Sequence, residues 1–186
     1  RSFHETLVRK PFSRETLGTL LGAAIGKAER QPFRRYPSGG SLFPIETYLV
    51  GAVLEGYPPA VFHYHPSEHA LEYLWDLPEE FRTDDLTTTK AAPLGSCLMI
   101  FTSIWDRSSA KYGDLAYLHA AIESGHMAQN TLLVATALGL STRPVAGFKD
   151  DEIARTLGLD DSNEQAIYAI IIAPDTATNN ADAMDE

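Results

Sequence analysis

Leu17, Leu20, Leu21, Ala24 and Ile25 recur at three- and four-residue intervals behind Ser13. That spacing gives one apolar helix face, with the serine hydroxyl as N-cap. The helix is predicted to end near Lys27, because the segment 31–40 (QPFRRYPSGG) carries two prolines and paired glycines. The period then changes. Glu46–Leu54 (ETYLVGAVL), Val61–His65 and Ala70–Trp75 read as three strands, separated by turns at 55–59 and 66–69, and together make an antiparallel meander. Leu77–Thr89 is polar and ambiguous between loop and short helix. Ser96–Ser103 (SCLMIFTS) is apolar almost throughout, as in a central strand covered on both faces. Asp106–Asp114, which holds Lys111-Tyr112-Gly113, reads as a polar connection. From Leu115 to Leu138 there is no proline and the periodicity is helical. Apolar residues surround much of this helix, which buries it in a core or against another subunit. A short segment, Thr142–Gly147, precedes a helix at Asp150–Leu157, and Gln165–Ala173 (QAIYAIIIA) is a last buried strand. The fold class is α+β: a mixed or antiparallel sheet of about five strands packed with helices, one of them long and buried. Residues 1–173 form one domain. Residues 174–186 contain four acids and no aromatic or branched aliphatic side chain, and are expected to form a flexible acidic tail.

Composition narrows the function classes. With 44% hydrophobic and 22% charged residues, the 186-residue chain has the balance of a soluble globular domain. A single cysteine, Cys97, excludes a disulfide framework and suits a reducing, cytoplasmic setting. The 25 acidic and 15 basic residues give a net charge of −10, the wrong sign for a sequence-independent grip on nucleic acid. No apolar run is long enough to cross a bilayer, so no membrane partner is expected.

The most informative stretch is Pro37-Ser38-Gly39-Gly40-Ser41-Leu42-Phe43-Pro44. Two glycines remove the side chains that would hold a flat polar heterocycle off the main chain, and the serines supply hydroxyls and amides. The same residues also suit a tight solvent-facing turn before a strand. His63 and His65 lie on one side of a strand with His69 following, so a metal is conceivable there. On the long helix His119, Glu123, His126 and Asn130 form a polar stripe, and Glu123, His126, Gln129 and Asn130 are expected to make a buried polar network near a subunit seam or cofactor.

The pattern Arg35-x-Pro37-Ser38-Gly39-Gly40-x3-Pro44-x-Glu46-x-Tyr48-Leu49-Val50 resembles the flavin-contacting segment of the FMN-dependent nitroreductase superfamily. It most resembles the SagB-type dehydrogenases, which include oxidases that turn thiazolines and oxazolines into azoles. Further matches follow in the family's order: Phe62-His63-Tyr64-His65-Pro66-x2-His69-x-Leu71-Glu72, Lys111-Tyr112-Gly113, Glu123-x-Gly125-His126-x-Ala128-Gln129-Asn130, Ala137-Leu138-Gly139-Leu140 and Pro144-x2-Gly147-Phe148. The resemblance implies a homodimer with FMN at two interfacial sites. It assigns the cofactor to Pro37, Ser38, Gly39, Gly40, Gln129, Asn130, Ala146 and Gly147, and its phosphate to an N-terminal element that reads Arg1-Ser2-Phe3-His4 here. In that element His4 stands where the family has a second arginine, and no basic residue follows Arg155.

The chemistry implied is removal of a proton and a hydride from neighbouring atoms of an azoline ring, the hydride passing to the flavin and oxygen reoxidising it. The resemblance assigns this proton transfer to Lys111 and Tyr112: the lysine would take the proton, and the tyrosine would orient it or bind the ring nitrogen. The substrate would be a peptide or small heterocycle, and other subunits of a biosynthetic complex are further partners. The family's meander carries the same histidines without implying metal, so no metal is expected. Alternatives are an NAD(P)H-dependent nitro or quinone reductase and a flavin-free dimeric scaffold in a modifying complex.

Overall fold

The computed structural model describes residues 10–28, 33–88, 96–159 and 162–174. Helix α1, Arg14–Ile25, starts where the Ser13 hydroxyl accepts from the Thr16 amide at 3.1 Å. The meander follows as β1 (Ile45–Gly51), β2 (Ala60–His65) and β3 (Ala70–Asp76), with β4 at Cys97–Ile104. Helix α2 spans Asp106–Tyr112, α3 Leu115–Ala137 and α4 Asp150–Leu157; β5 is Leu140–Val145 and β6 is Glu164–Pro174. The six strands form one antiparallel sheet in the order β3-β2-β1-β4-β6-β5.

The count corrects the expected five strands. Pro144 demotes Leu140–Val145 on sequence grounds, yet β5 is an edge strand, where a missing amide donor is tolerated. The polar connection at 106–114 also contains a helix: α2 buries only Ser108, so no apolar period announces it. β6 reaches Pro174, one residue into the segment read as tail, and 175–186 lie outside the described residues.

Alternation along β4 sends Met99 and Phe101 to a core under α1 and α3, and Leu98 and Ile100 to a second core under α4. Both faces of the sheet centre are therefore covered, as the unbroken apolar run required. Cys97 is buried, and burial pushes its thiol up to about 12, which disfavours the reactive thiolate. Among the described residues no helix is long and apolar enough to cross a membrane.

α3 is not enclosed all round. Its buried positions are mostly small or polar (Ala116, Ala120, Ser124, Ala128, Thr131, Ala135), while Leu115, Tyr117, Leu118, Ile122 and Leu133 are exposed. Asn130 ties the helix to its neighbours: its side-chain amide donates to Ala24 O at 3.2 Å and to Arg35 O at 3.0 Å, fixing the end of α1 and the loop leading to Ser38. Asn130→Ala leaves two carbonyls without this donor and is expected to cost about 1–3 kcal/mol. The check is the urea midpoint, which should fall at unchanged slope; an unaltered midpoint would remove Asn130 from the account of the loop.

Candidate functional site

The chain enters β1 through left-handed backbone. A 3₁₀ turn at Gly39–Ser41 is followed by Leu42 and Phe43, with φ of 63° at Gly40, 54° at Ser41 and 48° at Phe43. Two of the three are not glycine, so the loop is strained and must be held from outside. The Ser38 hydroxyl accepts from the Phe43 amide at 2.9 Å and the Ser38 carbonyl from the Ser41 amide at 3.1 Å. The Arg34 guanidinium lies 4.4 Å from the Phe43 ring centroid, Tyr36 meets that ring edge-on, and Arg107 donates to the Phe43 carbonyl at 3.2 Å.

This clamp puts Gly40 against α2. A Cβ placed on Gly40 would come within 2.6 Å of Tyr112 Oη and 2.7 Å of Lys111 Nζ, so both polar tips rest on a position that only glycine vacates. On Gly39 a Cβ would come within 3.3 Å of His119 Nδ1, and the Tyr112 and His119 rings meet edge to face at 4.4 Å. Pro37, Ser38, Gly39, His119, Ile122, Glu123 and His126 line a solvent-open cleft of about 270 Å³.

Glu123 is the charged group at the floor of this cleft. It is 2% exposed, and neither carboxyl oxygen makes a well-formed hydrogen bond, the Ser38 side chain being the polar group nearby. Burial pushes its pKa up to about 7; the Ser38 side chain and the Arg34 charge oppose that rise without cancelling it. His119 Nδ1 is also buried, without a hydrogen-bond partner.

The sequence-predicted residues divide. Pro37, Ser38, Gly39, Gly40, Lys111 and Tyr112 come together, joined by His119 and Glu123. Gln129 does not join them: it lines another cavity, of about 280 Å³, with Trp105, Tyr117, Ser124 and Tyr168. Ala146 and Gly147 follow β5 at the sheet end from which β1 starts and β4 leaves, but Gly147 O accepts from the Thr88 amide at 2.8 Å, beside the second core. Three strand spacings, roughly 14 Å, separate β5 from β1. The buried polar network expected on α3 is corrected: His126 and Gln129 are exposed, Asn130 braces main chain, and Glu123 alone of the four is fully buried. Arg1, Ser2 and His4 lie outside the described residues.

Missed from sequence were Arg34, Phe43 and Arg107, whose mutual placement depends on tertiary packing. His69 is no partner for His63 and His65. Its Nδ1 lies 2.8 Å from Tyr64 Oη, and its ring fills the space over Gly22, where a Cβ would meet Cε1 at 2.9 Å. The side chain that does join the two histidines is Glu72.

A family model described as "Nitroreductase family" matches residues 2–173. The chain belongs to the nitroreductase family. Nitroreductase-family relatives include MJ1384 of Methanocaldococcus jannaschii, 29% identical over 166 residues, with 88% of this chain and 80% of that one covered. The Microcin B17-processing protein McbC of Escherichia coli is 32% identical over 159 residues, covering 82% of this chain and 58% of McbC. Among solved structures, the E. coli microcin synthetase McbBCD complex with truncated pro-MccB17 bound contains a chain that superposes with a TM-score of 0.79 at 27% identity, covering 93% of this chain and 66% of that one. The SagB-type resemblance and the α+β nitroreductase fold are thus borne out, and the protein is an oxidoreductase. The chain spans little more than half the length of McbC.

Two outcomes test the site. A carboxyl held at about 7 when folded, against an ordinary 4.5, binds its proton more tightly in the folded state. This group's contribution is therefore present below the ordinary value and lost as pH rises through the folded one, a change of up to about 3 kcal/mol. Glu123→Gln should flatten the fall in urea-unfolding free energy between about pH 5 and 8, and parallel profiles would remove the buried carboxylate. Gly40→Ala meets the left-handed backbone penalty of about 1–2 kcal/mol and the two side chains behind it. A lowered thermal midpoint is expected, and an unchanged one would contradict the packing of Lys111 and Tyr112 on this glycine.

Proposed function

We propose that this nitroreductase-family chain is an FMN-dependent dehydrogenase acting on an azoline-type ring in a peptide or carrier-bound substrate. The observation that carries the reading is the contact of Lys111 Nζ and Tyr112 Oη with the side-chain-free surface at Gly40. The cleft suits a flat cofactor: Pro37, Ser38 and Gly39 line it beside His119, whose Nδ1 is buried without a hydrogen-bond partner, and Glu123, whose carboxyl has the Ser38 side chain as its polar neighbour. A carboxyl near 7 is available as a proton donor, suited to an acceptor edge. Bound FMN supplies two-electron acceptance, with oxygen as the final oxidant. Arg1, Ser2 and His4 are assigned to its phosphate.

The chain's own residues handle position and protons. Gly39 and Gly40 let Lys111, Tyr112 and His119 pack against the loop that borders the cofactor cleft. Lys111 Nζ takes the proton released from the azoline carbon, and the Tyr112 hydroxyl, one residue on and against the same glycine, holds the ring nitrogen or the lysine. Lys111 is exposed in the single chain. Its desolvation therefore falls to the substrate and to a second subunit. A homodimer is supported by the exposed Leu118 and Ile122 beside a cleft of about 270 Å³, which falls just below the usual range of ligand-pocket volumes. Gln129, Ala146 and Gly147 are assigned to the part of the site that the second subunit completes. The McbBCD likeness supports a place in a larger modifying assembly.

Anaerobic mixing with a thiazoline-containing peptide is expected to bleach the flavin absorbance. Lys111→Ala should keep FMN and lose turnover by about 10²–10⁴-fold. Flavin reduction by NADPH but not by the peptide would instead assign a nitro or quinone reductase, and protein that stays colourless after incubation with FMN would assign a flavin-free scaffold.

A further inference from the structure

On the sheet face opposite α3, two neighbouring strands bring three ligating atoms together. Residues 63 and 65 share one side of β2, and strand register pairs His63 with Glu72 of β3. His63 Nδ1 lies 3.3 Å from His65 Nε2, His65 Nε2 lies 2.9 Å from Glu72 Oε2, and His63 Nδ1 lies 4.0 Å from Glu72 Oε2.

The ring orientation of His63 is set from behind. Its Nε2 lies 2.7 Å from Glu46 Oε2, and Glu46 also receives the Arg107 guanidinium. With Nε2 turned to Glu46, Nδ1 is the His63 ring nitrogen that faces His65 and Glu72. A histidine whose far nitrogen is held by a carboxylate, with its near nitrogen turned to other ligating atoms, is the arrangement that surrounds protein-bound metals.

The structure assigns to His63, His65 and Glu72 a site for a divalent transition-metal ion of the zinc type. Two zinc–ligand bonds of about 2.0–2.1 Å reach across at most ~4.2 Å, and all three separations fall inside that limit. Two imidazoles and one carboxylate suit zinc and its neighbours rather than calcium or magnesium. The His65 and Glu72 side chains are 42% and 54% exposed, so water can fill the remaining positions. An ion here would pin β3 to β2. Through His63, Glu46 and Arg107 it would also fix the Phe43 carbonyl, and so the loop that carries Gly40. The proposal reverses the expectation of no metal, and it stands independently of the reaction proposed above.

The competing account is a hydrogen-bonded chain in which the His65 N–H occupies the same space. Titration of the chelator-dialysed full chain with zinc chloride, followed by calorimetry, separates the two. One zinc per chain is expected, with affinity at least about tenfold weaker in His65→Ala and in Glu72→Gln. At equal zinc concentration the thermal midpoint should also rise more in the wild type than in either variant, each shift being taken against that protein's own metal-free midpoint. Absence of a one-to-one isotherm in the wild type, or variants that bind within tenfold of it, would overturn the site.

Discussion

The backbone between Gly40 and Phe43 adopts a shape that L-residues resist, and two arginines keep it there. Arg34 covers the Phe43 ring and Arg107 holds its carbonyl, while Ser38 closes the turn from inside. That clamp sets Gly40 against Lys111 and Tyr112: β1 and α2 are far apart in sequence and are brought together by this loop, by the β1–β4 pairing and by the Glu46–Arg107 ion pair. Strain at a site is held by its surroundings. Here those surroundings are also the link to the histidines on the other side of the sheet, since Arg107 contacts both Phe43 and Glu46.

Much of this was legible before any coordinates. The helical period of α1, the meander, the unbroken apolar β4 and the long proline-free α3 each follow from spacing that tertiary structure has no cause to override. Motif order pointed to Ser38, Gly39, Gly40, Lys111 and Tyr112 together, and the structure sets Gly40 against Lys111 and Tyr112 and Gly39 against His119. What escaped was of another kind. β5 carries a proline and little apolar alternation, and only its position at an edge makes it a strand. α2 is seven residues with one buried side chain, too little for a period to show. Glu72 joins His63 and His65 because of strand register, and register is set by turn geometry and burial rather than by any local motif.

α3 shows how one pattern can carry two messages. Its apolar residues were consistent with burial on all sides, yet the sheet takes mainly its alanines, serine and threonine, and leaves leucines, isoleucine and tyrosine outward. Small residues allow close approach to the sheet, so the larger side chains are left for another surface. Glu123 sits at the boundary between these faces, which explains how a carboxyl can be both deeply covered and adjacent to an open cleft.

The strand order has a consequence for how the molecule is made. β6 lies between β4 and β5 although it follows both in sequence. Until it emerges from the ribosome, the main-chain donors and acceptors along one edge of β4 have no mate, and Met99, Ile100 and Phe101 stand on an unprotected border. Nascent chains must therefore pass through a stage prone to self-association, and loss of the final strand would make that stage permanent.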